Sequence, residues 1–244
     1  MLNDFPTLYQ VPLLGSGYYR KVLRTRGDAL IAYWPMWEAG GSIVQDRSPE
    51  YNNGTYTGVT LGQAGIGDGR TCPLFDGSSD YADIYSAGLN GDFNGQLVTI
   101  AAWAKLYNAA AWTDGVRREV IYLGVDASNY IEVCKNSTSN NVAFVYYAGG
   151  TAKQIGHTTS DTNWFHLVLT VTRAGDAMKA YVNGSQTGST QTGLGTWAGS
   201  LSSSNTLIGA QNKSPGAVWN GWIAHIALWA ATLSDVEIAY LAKK

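Results

Sequence analysis

Apolar and polar residues alternate with a period of two along residues 162–184, TNWFHLVLTVTRAGDAMKAYVNG. Phe165, Leu167, Leu169 and Val171 would face one side of an extended chain, and the intervening residues would face the other. This period is typical of a β-strand with one more deeply buried face. A glycine-containing turn and a second alternating run follow, so the segment is a predicted β-hairpin. A lone hairpin is marginally stable in water, so a larger sheet must complete it.

Further strands are predicted at short spacing, separated by turns rich in glycine, asparagine and aspartate. They are expected at 29–34, 74–85 (a strand, a turn and a strand), 98–106, 120–125, 130–134, 142–147, 206–210 and 222–229. Strands with this spacing are typical of an all-β, two-sheet antiparallel sandwich or jelly roll. A short C-terminal helix is predicted to begin after Ser234, with Ser234 as its N-cap and Glu237 completing a capping box.

Residues 1–27 are predicted to form an N-terminal arm, followed by one domain at 28–244. Within the arm, residues 18–24 have the composition of about two helical turns. The arm also carries large apolar residues that are costly to leave in water. These are Phe5, Leu8, Tyr9, Val11, Leu13 and Leu14. Either they dock on a neighbouring protein subunit or they strap their own domain. The docking arm is the hypothesis taken forward.

The bulk composition excludes several partners. The chain has 244 residues, a net charge of −2 and no long basic run, so nucleic acid is not a predicted partner. No stretch is long and apolar enough to cross a membrane, and the N-terminus lacks the pattern of a signal peptide. Cys72 and Cys134 have no metal-site spacing and are predicted to be buried thiols. No cofactor is predicted.

The segments YYRKVLRTRGDALIAYWPMWEAGG, LFDGSSDYADI, VTIAAWAKL, the 162–184 hairpin, NTLIGA and WNGWIAHIALWAATLSDVEIAYL follow one another along the chain. In this order they resemble the laminin-G-like, concanavalin-A-like jelly-roll domains. The resemblance covers residues 29–241 and implies two antiparallel sheets packed face to face, with the first and last strands adjacent. Its members include lectins, pentraxins, bacterial adhesins, phage virion proteins and some glycoside hydrolases, so the fold does not define a function.

The glutamates do not have the spacing that hydrolysis requires. Hydrolases of this fold carry a Glu-x-Asp-x-x-Glu cluster on one strand, and a retaining mechanism needs two carboxylates about 5 Å apart. The glutamates here are scattered along the chain, at Glu38, Glu50, Glu119, Glu132 and Glu237. His157, His166 and His225 are interpreted as hydrogen-bonded structural histidines. The chain is therefore predicted not to be an enzyme.

A metal site is not predicted either. Pentraxin-like relatives bind calcium through an acidic loop after the segment that corresponds to LIGA. Here that loop contains Lys213 where a carboxylate is expected, and calcium requires several oxygen ligands. Asp76, Asp80 and Asp83 offer oxygens in a neighbouring turn, but aspartates that stabilise the turn itself are the favoured interpretation.

Carbohydrate binding would require exposed aromatic rings beside amides and carboxylates. Of the nine tryptophans, Trp34, Trp103, Trp164 and Trp229 fall in strand patterns and are predicted to be core. The tryptophans in predicted loops are the candidates for a glycan site, together with three polar residues. The set is Trp37, Trp112, Trp197, Trp219, Asn212, Asn220 and Asp114. The alternative is that these tryptophans cover the edges of the core or contact a partner subunit.

Two functional classes remain. The first is a non-enzymatic structural protein of a larger assembly, such as a capsid decoration or tail protein displayed on the surface of a phage virion. Its partners would be other subunits, in a homo-oligomer or with virion proteins, and the arm would dock on them. The second is a freestanding lectin or adhesin module, which would be extracellular and would bind cell-surface glycans.

Overall fold

The computed structural model describes residues 17–244, and strands dominate this part of the chain. The helices are α1 (Tyr18–Arg24), α2 (Ala87–Asp92) and α3 (Asp235–Leu241), and short 3-10 turns lie at Gly27–Ala29 and Ala109–Trp112. The strands are β1 (Leu30–Trp34), β2 (Ile43–Val44), β3 (Gly54–Thr57), β4 (Thr60–Ala64), β5 (Thr71–Asp76), β6 (Tyr81–Asp83), β7 (Leu97–Leu106), β8 (Arg118–Asp126), β9 (Asn129–Lys135), β10 (Asn141–Ala148), β11 (Thr151–Thr158), β12 (Phe165–Thr172), β13 (Ala177–Val182), β14 (Ser185–Gln191), β15 (Thr206–Ile208) and β16 (Asn220–Trp229).

The strands form two eight-stranded antiparallel sheets, which confirms the predicted sandwich. Sheet A has the order β14-β13-β12-β7-β16-β5-β4, and β1 also pairs with β16. Sheet B has the order β11-β10-β9-β8-β15-β6-β3-β2. The first and last strands are therefore adjacent, as expected from the resemblance. The main core lies between the sheets and takes the apolar side of each strand.

The predicted hairpin is formed by β12 and β13, but both of its faces are buried. Leu167 and Leu169 point into the core, and Val168 and Thr170 on the other side are at most 4% exposed. The outer side is buried because α1 and α3 pack over sheet A. We call the part of sheet A beneath these helices the covered face.

The helix α1 is attached to the covered face by buried side chains. Tyr18 and Val22 are 2% and 1% exposed, and both pack in a second apolar cluster on the outer side of sheet A. The Nε1–H of Trp229 donates to the carbonyl of Thr25 at 2.7 Å, directly after α1 ends. The helix lies where two helical turns were predicted, inside the predicted arm. The six apolar arm residues, from Phe5 to Leu14, lie outside the described residues.

The helix α3 closes the other part of the covered face. Ser234 caps it and Glu237 completes the capping box, as predicted. Gly184 lets the helix approach the β13–β14 turn closely, since a Cβ there would lie 2.9 Å from the Cβ of Ala242. The Nζ of Lys21 in α1 donates to the carbonyl of Lys243 at 2.7 Å, which links the two helices.

Candidate functional site

The outer side of sheet B has a different character, because its central strands do not lie beneath a helix. Among residues 17–244 the main helix contacts are α1 with α3, α3 with β14, and α2 with β1. Outward-facing residues of β8, β9 and β10 are aligned by their register. Tyr122 lies opposite Glu132, and Tyr130 lies opposite both Gly124 and Tyr147. We call this surface the open face and define it by Tyr122, Tyr130, Tyr147, Glu119 and Glu132.

Three tyrosine rings form a continuous row across the open face. The rings of Tyr122 and Tyr130 are stacked at 5.3 Å, and those of Tyr130 and Tyr147 meet edge to face at 5.2 Å. Gly124 provides room for the row, since a Cβ there would lie 2.5 Å from the ring of Tyr122. Tyr122 is 4% exposed, whereas Tyr130 and Tyr147 are half-buried and present their rings to solvent.

Two of the glutamates that are far apart in the sequence come together beneath this row. The register of the β8–β9 hairpin, with a bulge after Glu119, places Glu119 and Glu132 on the same side of neighbouring strands. Arg117 Nε donates to Glu119 Oε1 at 2.7 Å, and Arg117 Nη2 donates to Glu132 Oε1. The two glutamate side chains are at most 2% exposed, and Arg117 covers them from the solvent side with 33% of its side chain exposed.

Burial favours the protonated form of the carboxyl pair. Burial raises the pKa of Glu119 well above its usual range, and the neighbouring charge of Glu132 raises it further. Burial also raises the pKa of Glu132, against the opposing effect of Arg117. The remaining oxygen of each carboxyl group is buried and has no other partner in the described chain. The raised pKa of Glu119 favours its neutral form, in which its carboxyl group adds no charge beside the Arg117–Glu132 ion pair.

Asp114 forms a second ionic cluster beside the open face. Arg118 Nη2 donates to its Oδ2 at 2.6 Å, and Lys135 Nζ donates to its Oδ1 at 2.8 Å. Burial acts to raise the pKa of Asp114, but the hydrogen bonds from Lys135 and Arg118 outweigh it and lower the pKa to about 2. Both carboxylate oxygens of this predicted glycan-binding residue are therefore already engaged in fixing the loop before β8.

The covered face of sheet A buries two histidines, one of which lies against a carboxylate. Tyr33 Oη lies 2.7 Å from Nδ1 of His225, whose Nε2 lies 3.1 Å from Asp68 Oδ2. Tyr18 of α1 places its hydroxyl 3.3 Å from Nε2 of His166 and its ring 4.6 Å from that of His225. Burial lowers the pKa of both histidines, to about 3 for His166, so both are neutral near pH 7. These contacts agree with the interpretation of the two as structural histidines.

Three of the four loop tryptophans are buried, so the expectation of exposed stacking rings at these positions is wrong. Trp112, Trp219 and Trp197 are 1%, 3% and 9% exposed, and all three belong to the core between the sheets. Trp112 packs edge to face on Phe165 at 5.9 Å. The ring of Trp197 occupies the space that a Cβ at Gly95 would fill. The three tryptophans lie on loops that fold back over the ends of the sandwich. They therefore cover the edges of the core, which is the alternative to a glycan site.

Trp37 is half-buried, and neighbouring side chains occupy its faces. The guanidinium carbons of Arg70 and Arg47 lie 4.7 and 5.8 Å from its ring centroid, and the ring of Tyr19 lies 5.3 Å away. A sugar would have to displace an arginine to stack there. Trp37 therefore packs against neighbouring side chains in the loop that follows β1.

The two asparagine candidates lie in different surroundings. Asn212 belongs to a small loop in which it bridges to Gly216, and its Oδ1 is buried without a partner among residues 17–244. Asn220 begins β16, is half-buried, and accepts through its carbonyl from the N–H of Tyr107 at 2.9 Å. It therefore lies beside the exposed residue Tyr107, which was not among the predicted site residues.

The aspartates of the 76–83 turn stabilise that turn. Asp76 Oδ1 accepts from the backbone N–H groups of Ser78 and Ser79 at 2.8 Å each, and Asp80 Oδ2 accepts from the N–H of Asp76. Asp83 forms an ion pair with Lys213 at 2.6 Å. Within residues 17–244 no cluster of histidine, cysteine or acidic residues has the arrangement of a metal site. Both cysteines are free and buried, as predicted.

The fold and the sequence together define the family. The sequence model of the concanavalin A-like lectin/glucanases superfamily, Laminin_G_3, matches residues 76–239, about two thirds of the chain. The chain therefore belongs to this family. Its members include non-catalytic binding domains as well as enzymes, so membership leaves the activity open. No curated protein matches the chain by sequence.

Many solved structures share the fold. Domain 4 of AbnA, an extracellular arabinanase from Geobacillus stearothermophilus in complex with arabinotriose, aligns with TM-score 0.66 at 16% identity, over 88% of this chain and 98% of that one. The receptor-binding domain of botulinum neurotoxin C/D mosaic serotype aligns with TM-score 0.66 at 15% identity, over 89% of this chain and 51% of that one. The Trypanosoma rangeli sialidase aligns with TM-score 0.63 at 14% identity, over 87% of this chain and 32% of that one.

These identities are low, so the likeness shows the fold alone. The chain spans about half the length of the toxin binding domains that it matches. Among residues 17–244, no helix has the length and hydropathy needed to cross a bilayer.

Proposed function

We propose that this protein is a non-catalytic carbohydrate-binding domain and that the open face of sheet B is its binding surface. The observation that carries this proposal is the row of Tyr122, Tyr130 and Tyr147 across three neighbouring strands, over which no helix of residues 17–244 packs. Aromatic rings with a negative face attract the polarised C–H groups of a sugar ring, and half-buried rings lose little freedom on binding.

The polar groups around the row suit hydroxyl groups rather than a charged ligand. Arg117 keeps 33% of its side chain exposed while it binds both glutamates, so its remaining N–H groups are available as donors. Gln154, opposite Val145 on β11, adds an exposed amide at the edge. Because the Arg117 guanidinium is already paired with carboxyl groups, we infer a preference for neutral oligosaccharides. The arabinotriose bound by the arabinanase domain is a neutral ligand of a protein with the same fold.

The carboxyl pair does not have the arrangement of a glycosidase. A retaining enzyme needs two accessible carboxyl groups about 5 Å apart with the sugar between them. Glu119 and Glu132 are instead buried and bound to one arginine. The proposal is therefore binding without hydrolysis, and release of reducing sugar from laminarin, agarose or xylan would contradict it.

The test is a titration of the full chain with linear neutral trisaccharides, including arabinotriose, xylotriose and cellotriose. Tyr130→Ala and Tyr147→Ala should each weaken the tightest of these by about fivefold, since a stacked aromatic contributes about 1 kcal/mol. Tyr51→Ala is the matched control, because Tyr51 is 74% exposed and lies outside the open face. Saturable binding that survives both open-face substitutions would overturn the assignment, and so would failure of every neutral trisaccharide to bind.

The larger-assembly hypothesis remains a prediction, in which the domain is a virion component that docks through residues 1–27. The structures named above are a toxin domain, an arabinanase domain and a sialidase, so the comparisons give it no support. Deletion of residues 1–16 tests it, since α1 and the sandwich are left intact. Loss of self-association on light scattering would favour docking, and an unchanged oligomeric state would exclude it. The extracellular location is likewise a proposal, based on the likeness to an extracellular arabinanase domain.

A further inference from the structure

A second aromatic surface lies on the outer side of sheet A, beyond the helices, at the ends of β7 and β16. Register places Lys105 directly opposite Trp222, while the Tyr107 N–H donates to the carbonyl of Asn220. All four side chains are on one side of the sheet, because the intervening Leu106 points into the core. Trp164 precedes β12 on the same side, next to Phe165, which is paired with Ala104. We call Tyr107, Trp222, Trp164, Lys105 and Asn220 the platform.

The geometry of the platform depends on a glycine. Gly221 has φ of 142°, and a Cβ there would lie 2.1 Å from the carbonyl oxygen of Lys105 and 2.8 Å from the amide nitrogen of Tyr107. Glycine thus lets β16 approach β7 closely at this point. The rings of Tyr107 and Trp222 consequently stack at 5.6 Å with an interplanar angle of 19°. Tyr107 keeps 54% of its surface exposed, and Trp222 and Trp164 are half-buried.

The platform carries one uncompensated positive charge. Lys105 Nζ lies 4.9 Å from the ring centroid of Trp222, in a cation–π contact. None of the ion pairs among residues 17–244 involves Lys105. Asp76, which lies opposite Asn220 on β5, is engaged by the backbone of its own turn. An ammonium group over a ring uses one side for the π-contact and keeps N–H donors on the other.

We infer that the platform binds a pyranose bearing a carboxylate, of the uronate or sialate type. The sugar ring packs on the exposed face of Tyr107 beside Trp222, its carboxylate accepts from Lys105, and the Asn220 amide is available to a hydroxyl group. Charge complementarity selects the acidic sugar, because the only unpaired charge of the platform is positive. The inference stands whether or not the open face of sheet B binds a neutral glycan, since the two surfaces share no residue.

The experiment compares ligands that differ only in charge. Trigalacturonate is titrated against its fully methyl-esterified form, and 3′-sialyllactose against lactose, with the full chain at low and at physiological salt. The acidic member of at least one pair should bind saturably, more weakly as salt rises. The methyl ester or lactose should bind about fivefold more weakly or worse, which is the range of one exposed ion pair. Charge-dependent binding in the first pair would identify the ligand as a uronate, and in the second pair as a sialate.

Variants locate the site. Lys105→Met keeps the stem over Trp222 and should weaken the acidic ligand about fivefold, while the salt dependence disappears. Trp222→Ala should weaken it about tenfold or more. Lys179→Met, on β13 of the same sheet, is the control and should bind like the native chain. Thermal melts show that each variant is folded, and Tyr130→Ala should leave the acidic ligand unaffected.

Three results would overturn the inference. The first is equal affinity for the acid and its ester. The second is an absence of saturable binding by both acidic ligands. The third is a Trp222→Ala variant that changes the oligomeric state and leaves sugar binding unchanged, which would identify the platform as a contact between protein chains.

Discussion

The outer face of sheet A lies partly beneath α1 and α3, whereas the central strands of sheet B have no comparable helix contact among residues 17–244. Both faces nevertheless bury polar side chains. The covered face contains His166 and His225, which contact tyrosine hydroxyl groups, and Asp68, whose carboxylate lies against His225. The open face contains Glu119 and Glu132 beneath Arg117. On the covered face one buried carboxylate meets a histidine, whereas on the open face two buried carboxyl groups share one arginine.

The two arrangements have opposite dependences on pH. The histidines have lowered pKa values, so below about pH 6.5 the unfolded chain takes up protons that the folded chain resists, and stability falls as pH falls. Glu119 and Glu132 have raised pKa values, so above about pH 4.5 the unfolded chain releases protons that the folded chain retains, and stability falls as pH rises. The protein should therefore be most stable in mildly acidic solution.

The largest expected effect is on the open face. Arg117→Ala leaves two buried carboxyl groups without their cation, and breaking a buried ion pair in this way costs about 3–5 kcal/mol. Urea unfolding at pH 5 and at pH 8 measures it, and the loss should be greater at pH 8. Arg24→Ala, at an exposed position in the last turn of α1, is the control. A cost below about 1 kcal/mol would mean that solvent, not Arg117, stabilises the pair.

A smaller effect is expected on the covered face. The native chain should lose several kcal/mol of unfolding free energy between about pH 6.5 and 3, at about 1.4 kcal/mol per pKa unit of a buried histidine. His166→Gln keeps a hydrogen-bonding group near the Tyr18 hydroxyl but does not titrate, so about 2 kcal/mol or more of this acid loss should vanish. The variant and the native chain are compared in urea across the pH series. If the free energy of unfolding depends on pH in the same way for the variant and the native chain, titration of His166 does not cause the acid loss.

The smallest effect separates the two acid-base systems. Glu119→Gln replaces a carboxyl group whose pKa is raised by burial with a neutral amide of similar shape, so the cost at pH 5 should be about 1 kcal/mol. The decline in stability from pH 5 to 8 should become shallower. The loss of stability on acidification, which is assigned to the histidines, should not change. A change in this loss would mean that the two faces are coupled through the core.

Most of the fold was predictable because the buried strands carry strong patterns. The β12–β13 hairpin, the long strands β7 and β16 and the capped helix α3 were all expected. The strands β11 (TAKQIGHT) and β14 (SQTGSTQ) were missed. They are polar edge strands with little buried surface, so the hydrophobic pattern that reveals a strand is absent from them.

The candidate sites were much harder to predict. Trp112, Trp197 and Trp219 lie outside the regular strands, and a linear sequence does not show whether such a residue folds back over the core. The pairing of Glu119 with Glu132 arises from a hairpin register and a bulge, which residue spacing does not encode. The tyrosine row could have been predicted from the sequence. Period-two alternation places Tyr130 and Glu132 on one side of β9 and Tyr122 on the outer side of β8.

The central claim is that the open face of sheet B binds neutral sugars. Hydroxyl-radical footprinting reads both outer faces in one measurement, with the tightest neutral trisaccharide as the probe and trigalacturonate in a parallel sample. The neutral sugar should protect Tyr130 and Tyr147 from oxidation and leave Tyr107 and Trp222 unprotected. Protection of Tyr107 by the neutral sugar, with Tyr130 and Tyr147 oxidised as in the free protein, would contradict the claim.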